Sequence, residues 1–483
     1  MVEYTTLGGN LNIARILNGM WQIADMERDG KSLDTRSALD AMSNYVQAGF
    51  TTFDMADHYG SAEDICGLFH QQNNKREIQL LTKWVPKPPV QSKDQVRNAI
   101  QRSLDRLQVD AIDLLQYHAW NYADPEWLDT LFWLQELKDE GLIQNIGVTN
   151  FDAIHLNMAL ASGIELVSNQ ISYSLIDNRA DAEMRKVCQK HNVKILAYGT
   201  LAGGFLHERW LNRPEPEQSE SLTWSQMKYK RFIDEAGGWT SFQAMLNELN
   251  SIAKSKSVTV PQLSTRYLLD QSHVAGVILG TRFGVNNHIE ENLKPFTFQL
   301  TQEESQLIEK AKNNLRPIQR NCGDEYRTPP FLTAAGDLSD HLNTLPKVYE
   351  PIALGDRTII DSGTPWESKA GYARAIKKGN RINISGTTAT HKHRLIGGAD
   401  ASAQTHFIID KIQACLESFG ASLKDVDRTR IFVAYKDDCE AVALAHGDRF
   451  AQIRPANTLV QAGLIGDEYK VEIEAEATIN SDG

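Results

Sequence analysis

The sequence predicts an α/β chain in which a (β/α)8 (TIM) barrel is followed by a smaller α+β domain. Within the first 315 residues, short apolar runs alternate with stretches long enough for helices, as in such a barrel. The runs are rich in Ile, Leu and Val, which is typical of parallel strands buried on both faces. The eight runs are residues 13–17, 51–54, 78–82, 112–116, 143–148, 166–170, 193–197 and 274–279.

A doubly wound parallel sheet is the alternative interpretation of the same alternation. Such a sheet usually carries a Gly-rich phosphate loop, GxGxxG, directly after its first strand. No such motif follows residues 13–17, so the barrel is favoured. Intervals such as 92–107 and 127–140 are long enough for the helices that connect barrel strands.

Beyond residue 315 the pattern changes twice. Residues 316–347 are polar and interrupted by Pro and Gly, and are predicted to be a linker or an extension that runs along the protein surface. Residues 348–483 are again compact in pattern and long enough for an independent domain. The predicted strands are 358–362, 381–385, 428–434 and 470–479, and the predicted helices are 401–419 and 438–453.

The composition indicates a globular protein and argues against two classes of partner. The 483 residues are 41% hydrophobic and 23% charged, with 50 basic and 62 acidic residues and a net charge of −12. An acidic chain without a basic tract argues against nucleic acids and anionic membranes as partners.

Localisation follows from three further features of the sequence. No window approaches 18 uninterrupted apolar residues, so no membrane span is expected. The first residues lack the pattern of a secretory signal. Five scattered cysteines form neither a disulfide framework nor a CxxC metal site, which fits a reducing cytoplasm. We therefore expect a cytoplasmic protein.

Polar side chains stand where the predicted barrel strands end, which is where enzymes of this fold carry their active sites. An acid, a phenol, an ammonium and an imidazole follow the second, third and fourth strands; they are Asp54, Tyr59, Lys83 and His118. The next three strand ends carry hydroxyl, amide and aromatic side chains; they are Thr149, Asn150, Gln170 and Tyr198. No cysteine nucleophile or His/carboxylate set accompanies them, so we expect no metal.

This set of side chains suits proton donation to an oxygen. A phenol with its ordinary pKa near ~10 is a poor acid at neutral pH. A buried ammonium beside Tyr59 is expected to lower that pKa by favouring the phenolate. Asp54 would keep Lys83 charged and in place, and His118 would donate a hydrogen bond to the substrate oxygen.

Residues 1 to about 315 resemble the aldo-keto reductase family. The resemblance rests on FDMADHYGSAE, the Lys of LLTKW, the His of DLLQYH, GVTNF and AYGTLAGG, which stand in the family's order. It implies hydride transfer from a nicotinamide nucleotide to a carbonyl. It also implies a catalytic tetrad of Asp54, Tyr59, Lys83 and His118, in which Tyr59 is the general acid.

The same resemblance implies the cofactor contacts. Thr149, Asn150 and Gln170 would bind the nicotinamide carboxamide, and Tyr198 would stack on the nicotinamide ring. After the first strand, Gly19 would lie near the cofactor and Trp21 near the substrate.

The stretch GTRFGVNNHIEENL resembles the segment with which the family clasps the nucleotide. Arg282 stands where a basic residue often binds the 2′-phosphate, which favours NADP(H) over NAD(H). Glu291 and Asn292 stand where the adenine is held. Two positions depart from the family: Phe283 replaces a small hydroxyl residue, and His288, also a cofactor candidate, replaces an Arg.

Residues 348–483 resemble the Rid/YjgF family of enamine and imine hydrolases, whose α+β fold is chorismate-mutase-like. The matching stretches are GYARA, INISGTTAT, RTRIFV, HGDRF, IRPANTLV and VEIEAEA. The family implies a trimer with ligand clefts between subunits, and Tyr372, Asn457 and Glu472 match cleft positions. Deaminase-active members carry an Arg where Asn457 stands, and Asn offers no charged fork for a substrate carboxylate.

Three functions are consistent with these features. The first is an NADPH-dependent carbonyl reductase whose second domain assembles the protein or binds a ligand. The second is an imine or enamine reductase that produces an amine. The third is a sensor that binds nucleotide or a small ligand without turnover. In each case we expect a small-molecule partner and a homo-oligomer, a trimer formed through the second domain.

Overall fold

A closed barrel of eight parallel strands dominates the first half of this computed structural model, which describes residues 1–27, 33–72, 78–217 and 222–479. The chain divides into two units. The first contains Met1–Trp120, Trp133–Ala153 and Leu166–Asn343. The second contains Asn121–Phe132, Ile154–Glu165 and Thr344–Gly483. The predicted fold class is therefore confirmed.

Each predicted apolar run of the first unit overlaps one barrel strand. In chain order the barrel strands are β3 (Ile16–Gly19), β4 (Thr52–Asp54), β5 (Gln79–Trp84), β6 (Leu114–His118), β7 (Ile146–Thr149), β8 (Ser168–Ser172), β9 (Lys194–Tyr198) and β10 (Val274–Gly280), and β10 pairs with β3 to close the barrel. All eight strands are parallel neighbours of the next in sequence. Their carboxyl ends therefore meet at one mouth.

A hairpin that the sequence analysis did not predict precedes the barrel. Its strands are β1 (Tyr4–Leu7) and β2 (Leu11–Ala14). The predicted run 13–17 thus covers the end of β2 and the start of β3. Leu7, Leu11 and Ile13 join barrel residues such as Leu114 in one buried apolar cluster, so the hairpin closes the end of the barrel opposite the mouth.

Helices connect the strands. They are α1 (Trp21–Glu27), α2 (Thr35–Gln47), α3 (Ala62–Gln72), α4 (Lys93–Leu107), α5 (Glu126–Asp139), α6 (Ala153–Ala161), α7 (Arg185–His191), α8 (Trp224–Glu235), α9 (Gly238–Ser255), α10 (Val260–Leu269), α11 (Ile289–Leu293), α12 (Gln302–Lys312) and α13 (Asp324–Arg327). Ser or Thr caps α4, α8, α10 and α12 and forms a capping box with the third helical residue. In the part of the chain that the structure describes, no helix is both long and apolar enough to cross a bilayer.

The second unit is built on a seven-stranded sheet. Its elements are β11 (Ile352–Leu354), β12 (Arg357–Ile360), α14 (Pro365–Ala370), β13 (Ala375–Lys378), β14 (Arg381–Thr387), β15 (Thr390–His391), β16 (Arg394–Leu395), α15 (Ala401–Ser418), β17 (Val426–Val433), α16 (Cys439–Phe450), β18 (Ala456–Gln461) and β19 (Val471–Thr478). The strand order is β11-β12-β13-β14-β19-β17-β18, and β15 and β16 form a separate pair.

Helix α15 differs from the expected amphipathic helix because polar residues are buried on it as well. Buried Asp410 accepts from Arg449 of α16 at 2.6 Å and lies 3.1 Å from His155. His155 belongs to the second unit, which includes residues 154–165. The helix is thus enclosed on more than its sheet side, and ion pairs compensate the buried charge.

Candidate active site

The four candidate catalytic residues meet at the mouth of the barrel. Asp54 is the last residue of β4, Lys83 is the penultimate residue of β5, and His118 is the last residue of β6. Tyr59 follows β4 in the loop that leads to α3. Because the strands are parallel, their carboxyl ends lie at the same end of the barrel. Asp54 and His118, which are 64 positions apart in the sequence, therefore both lie at the mouth.

Asp54 and Lys83 form a buried ion pair. The carboxylate accepts from the Lys83 ammonium at 2.7 Å, and each side chain is 4% exposed. Burial lowers the pKa of Lys83, and the Asp54 charge opposes that shift. The other Asp54 oxygen accepts from Gln116 at 3.1 Å and from Gln170 at 2.7 Å. The carboxylate is thus fixed by three donors.

Tyr59 packs beside this ion pair and beside Trp21. The Lys83 Nζ lies 5.0 Å from the centre of the Tyr59 ring, and the Trp21 ring lies edge-on at 5.1 Å. The expected lowering of the Tyr59 pKa is not found: burial, with the Asp54 charge next, raises it well above its ordinary value. The physical reason is that Asp54 neutralises Lys83, so desolvation of the phenolate dominates.

His118 is buried, and its Nε2 has no hydrogen-bond partner among the residues that the structure describes. Burial lowers the pKa of His118 well below its ordinary value, the Arg327 charge adds to this, and a hydrogen bond to the Thr149 backbone opposes it. The imidazole is therefore neutral at neutral pH. Because this nitrogen lies at the barrel mouth without a partner among the described residues, it is available to a ligand atom.

The candidate residues for the nicotinamide lie on the next three strand ends. Thr149 Oγ1 and the Asn150 backbone N–H both donate to the Gln170 carbonyl, at 3.0 and 2.8 Å. Tyr198 donates to Asn150 Oδ1 at 2.7 Å. The Gln170 NH2 group already donates to Asp54 and Gln116, so its Oε1 is the atom that it offers a ligand.

Gly19 ends β3, and glycine is required there by packing. A Cβ at this position would lie 2.8 Å from the Ile278 side chain and 3.2 Å from the Leu279 carbonyl oxygen. The close approach of two barrel strands thus explains this glycine, with or without a ligand beside it.

The candidate adenosine contacts follow β10. Arg282 is half-buried, and its Nε donates to Gln22 Oε1 at 3.2 Å. The His288 backbone N–H donates to the Tyr45 hydroxyl at 3.0 Å, while the side chains of His288 and Glu291 are exposed and Asn292 is half-buried. These residues border the barrel mouth beyond β10 and are separate from the Asp54 cluster in sequence and contacts.

Phe283 shows why this segment departs from the expected pattern. Its ring is 1% exposed and packs 5.3 Å from Tyr45 and 6.1 Å from Phe53. The side chain anchors the turn after β10 in the apolar layer beneath α2, so it contributes packing at a position where the family often offers a hydroxyl.

Sequence reasoning missed Gln116, although a signal was present. Gln116 lies two residues before His118 in β6, and alternate residues of a strand point to the same side. It is fully buried and links Asp54 to Gln170. A polar residue at that spacing in an apolar strand predicts a second inward-facing group.

Sequence reasoning also missed three further residues at the mouth, Lys228, Glu325 and Tyr326. Glu325 and Tyr326 lie in the predicted linker, where no strand or helix pattern points to the mouth. The structure assigns residues 316–343 to the first unit. There, Glu325 is completely buried and pairs with Arg179 at 2.8 Å. Burial raises the pKa of Glu325, but the charge and hydrogen bond of Arg179 outweigh it and lower that pKa to about 2. Tyr326 lies 6.1 Å from the His118 ring, and Lys228 donates to the Tyr326 hydroxyl at 2.7 Å.

The cleft candidates of the second unit fall into two groups. Tyr372 and Glu472 both neighbour buried Arg374: the Tyr372 hydroxyl is 3.5 Å from Arg374 Nη2, and Arg374 opposes the burial-driven rise in the Glu472 pKa. Asn457 instead donates to Thr429 Oγ1 at 2.9 Å on the neighbouring strand. Among the described contacts within this chain, Asn457 does not join the other two.

Comparisons with known proteins agree with this division. The model of the Aldo/keto reductase family matches residues 15–313, and that of the Endoribonuclease L-PSP family matches residues 364–479. The chloroplastic pyridoxal reductase of Arabidopsis thaliana is 26% identical over 285 residues, which cover 55% of this chain and 74% of the relative. The NADH-specific methylglyoxal reductase of Escherichia coli is 23% identical over 322 residues, covering 62% and 94%.

Two further matches correspond to the two parts of the chain. An aldo-keto reductase from Bacillus halodurans, solved in its holo form, superimposes with a TM-score of 0.52 at 24% identity. The match covers 66% of this chain and 99% of that one and indicates a shared fold. An uncharacterised protein of Streptomyces coelicolor is 37% identical over 119 residues, covering 24% of this chain and 89% of the relative.

Proposed function

This chain is an oxidoreductase of the aldo/keto reductase family, and from that premise we propose that it reduces a carbonyl with a nicotinamide nucleotide while Tyr59 donates the proton. The observation that carries the proposal is the juxtaposition of three groups at one mouth. The buried Asp54–Lys83 pair lies against Tyr59, and His118 Nε2 lacks a partner among the described residues. This arrangement suits proton delivery to an oxygen bound between the phenol and the imidazole.

The strand-end residues fit a nicotinamide. The Asn150 NH2 group and Gln170 Oε1 are the donor and acceptor that the described hydrogen bonds leave for a carboxamide, which needs one of each. Thr149 keeps the two strand ends in register, and Tyr198 supplies an aromatic face. When bound there, a reduced nicotinamide nucleotide supplies the hydride.

The side chains divide the remaining work. Tyr59 carries its proton at neutral pH, and the proton passes to the carbonyl oxygen as negative charge develops there. Because burial raises the pKa of Tyr59, this transfer depends on the developing charge and not on a lowered pKa of the phenol. Lys83, held by Asp54, places a positive charge near the phenolate that remains. His118 orients the carbonyl through Nε2, which donates to the same oxygen in the tautomer that carries the proton there; in that tautomer Nδ1 no longer donates to the Thr149 backbone. Trp21 packs against Tyr59 and bounds the substrate side.

The decisive experiment compares Tyr59→Phe with the wild type. Loss of the hydroxyl should abolish carbonyl reduction across a panel of aldehydes and ketones, since the proton donor is gone, while equilibrium binding of NADPH stays within about twofold. Phe keeps the ring contacts with Trp21, so folding should be preserved. Unchanged turnover in this variant would refute the assignment of Tyr59 as the acid.

We also propose a preference for NADP(H) over NAD(H), carried by Arg282. Its guanidinium lies at the edge of the mouth after β10 and suits a 2′-phosphate better than a free hydroxyl. Arg282→Met should weaken NADPH binding by roughly tenfold or more and leave NADH binding nearly unchanged. An equal loss for both nucleotides contradicts this role.

A second candidate reaction is reduction of an imine or enamine to an amine. The observation that favours it is the match of residues 364–479 to a second family, together with the Tyr372–Arg374–Glu472 neighbourhood in that unit. A cyclic imine and its parent ketone should be assayed side by side. Absence of imine turnover removes this candidate, and tight NADPH binding without turnover of either compound favours a sensor.

We further propose that the protein forms a trimer through its second unit. Strand β18 is a sheet edge whose residues are almost all exposed, and unpaired edges tend to be covered in an assembly. Large apolar side chains are exposed in the same unit at Ile352, Leu354, Tyr435, Leu444, Val460 and Ile465.

A further inference from the structure

A chain of four polar side chains crosses the barrel mouth. It begins at Lys228 and ends at Asn150. Lys228 Nζ is 2.7 Å from Tyr326 Oη, the hydroxyl oxygens of Tyr326 and Tyr198 are 3.4 Å apart, and Tyr198 Oη is 2.7 Å from Asn150 Oδ1. The proposed reaction assigns roles to Tyr198 and Asn150 but none to Lys228 or Tyr326.

The direction of proton donation along this chain is fixed at its first member. An ammonium only donates, so the Tyr326 oxygen accepts from Lys228. Tyr198 has a single proton, and Asn150 Oδ1 at 2.7 Å is a closer acceptor than the Tyr326 oxygen at 3.4 Å or Glu325 Oε1 at 3.5 Å. With the Tyr198 proton on Asn150, the Tyr326 hydroxyl is the donor in the 3.4 Å contact. The Asn150 amide is therefore oriented with its oxygen towards Tyr198 and its NH2 group away from it.

The backbone of Asn150 is held as firmly as its side chain. Its φ of 59° is in the left-handed region, which Asn adopts more readily than most other non-glycine residues. The N–H donates to the Gln170 carbonyl, and the C=O accepts from Arg327 Nη1 at 2.8 Å. Arg327 and Tyr326 are consecutive residues of α13, so one short helix secures Asn150 twice.

Lys228 is itself confined by aromatic rings. Its Nζ lies 4.7 Å from the centre of the Tyr198 ring and 4.6 Å from that of Tyr326, within range of a cation–π interaction. Burial lowers the pKa of Lys228, but the neighbouring Tyr229, Tyr326 and Glu325 outweigh it and raise the pKa. The first donor of the chain thus remains charged.

We propose that Tyr326 and Lys228 are positioning residues for the nicotinamide end of the site, acting through Tyr198 to present the Asn150 NH2 group to the carboxamide oxygen of the bound cofactor. The inference rests on the proposed function, in which Asn150 and Tyr198 contact that cofactor. The segment after the barrel then serves as an element of cofactor affinity.

The test measures the NADPH dissociation constant of Tyr326→Phe by quenching of tryptophan fluorescence. Loss of one hydrogen bond in the chain should weaken binding roughly three- to tenfold. At saturating NADPH, kcat and the KM of the carbonyl substrate should stay within about twofold, because the acid and the substrate pocket are untouched. The melting temperature serves as the control for folding.

Matched variants separate positioning from structure. Tyr4→Phe removes a hydroxyl that donates to the Gly49 carbonyl at 2.7 Å outside the mouth, and should leave NADPH binding unchanged. Lys228→Met should weaken binding like Tyr326→Phe, and Lys228→Arg, which keeps a charged donor, should retain most of the affinity. The double variant, Tyr326→Phe with Lys228→Met, should bind NADPH no more weakly than the single variant with the lower affinity, because both changes interrupt the same chain of hydrogen bonds.

The outcomes are distinguishable. If the wild type binds NADPH and both Tyr326→Phe and Lys228→Met bind it equally well, the positioning role is refuted while the proposed function stands. Additive losses in the double variant, or losses that track a fall in melting temperature, also overturn it. If the wild type binds neither NADPH nor NADH, the proposed function fails and this inference fails with it.

Discussion

Asp54 is the residue on which the polar groups of the mouth converge. It accepts from Lys83, Gln116 and Gln170, and it is 3% exposed. Such a buried pair contributes little net stability while both partners are present, because desolvation offsets their attraction. Loss of one partner is different, since it leaves an uncompensated charge in a medium of low polarity.

We expect Asp54→Asn to lower the free energy of unfolding by about 3–5 kcal/mol, because the Lys83 ammonium loses its counter-charge. Adding Lys83→Met should recover part of this loss, which identifies the buried charge as the cause. Urea denaturation measures both effects. Asp64→Asn, a change on the exposed face of α3, should stay within about 0.5 kcal/mol of the wild type. Equal stability of Asp54→Asn and the wild type would contradict the expectation.

His273 is a second buried titratable residue, outside the mouth. It is 2% exposed, and neither ring nitrogen has a partner among the described residues. Burial is the main cause that lowers its pKa to about 4. In the unfolded chain a histidine titrates near ~6.5. Between these values the unfolded state binds more protons than the folded state, so stability falls as the pH falls.

We therefore expect the folded state to lose stability progressively from about pH 6.5 down to about pH 4, with His273 contributing on the order of 3 kcal/mol. His273→Gln should flatten this dependence, since Gln carries no proton that titrates there. Chemical denaturation at a series of pH values measures the slope. His393→Gln, at an exposed position, serves as the control. An identical slope in His273→Gln and the wild type would show that another group is responsible.

At the scale of elements, the N-terminal hairpin depends on its two-glycine turn. Gly8 and Gly9 both have a positive φ, of 57° and 81°. A Cβ on Gly8 would lie 2.7 Å from both Asn145 Oδ1 and the Val167 side chain, whereas a Cβ on Gly9 would meet nothing within 4 Å. Both glycines therefore need a positive φ, but only Gly8 is packed closely against neighbouring side chains.

Gly9→Ala should cost about 1 kcal/mol through backbone strain alone. Gly8→Ala should cost roughly 1–3 kcal/mol more, because the methyl group displaces the loops against which the hairpin closes the barrel. Thermal unfolding of the two variants gives the comparison. If both variants melt at the same temperature, the contact of Gly8 with the barrel end does not matter to stability.

Some strands can be predicted from the sequence pattern and others cannot. The barrel strands are continuous apolar runs, so their pattern is visible without any tertiary contact. The hairpin strands are only four residues long, and β18 is exposed along almost its whole length. Neither shows a strong period of two. Short strands and exposed edges are defined by the partner strand, which the sequence does not display.

At the scale of the whole molecule, the exposed apolar residues of the second unit lead to a prediction about assembly. Light scattering should give three times the mass of one chain. Val460→Glu, which places a charge on the exposed edge strand β18, should shift the mass towards that of one chain. Leu307→Glu, an equally exposed apolar position on α12, should leave it unchanged. A monomeric wild type would refute the trimer.

Some features of the candidate site could also be predicted from the sequence, and others could not. Asp54, Lys83 and His118 sit at the ends of recognisable strands, so the order of strands alone predicts that they meet. Gln116 was within reach of the same argument, because its spacing from His118 places both on one side of β6. The raised pKa of Tyr59 was out of reach, because it depends on how completely the surrounding residues exclude water.

The sequence by itself determined the eight barrel strands and the meeting of Asp54, Lys83 and His118 at one mouth, because local periodicity and strand order are written along the chain. It also carried the motifs by which its two parts resemble two known families. Only the tertiary structure decided that residues 316–343 belong with the barrel and bring Glu325, Tyr326 and Arg327 to its mouth. Such contacts join residues 98 to 177 positions apart and follow no period. They arise from the surface that the finished barrel presents.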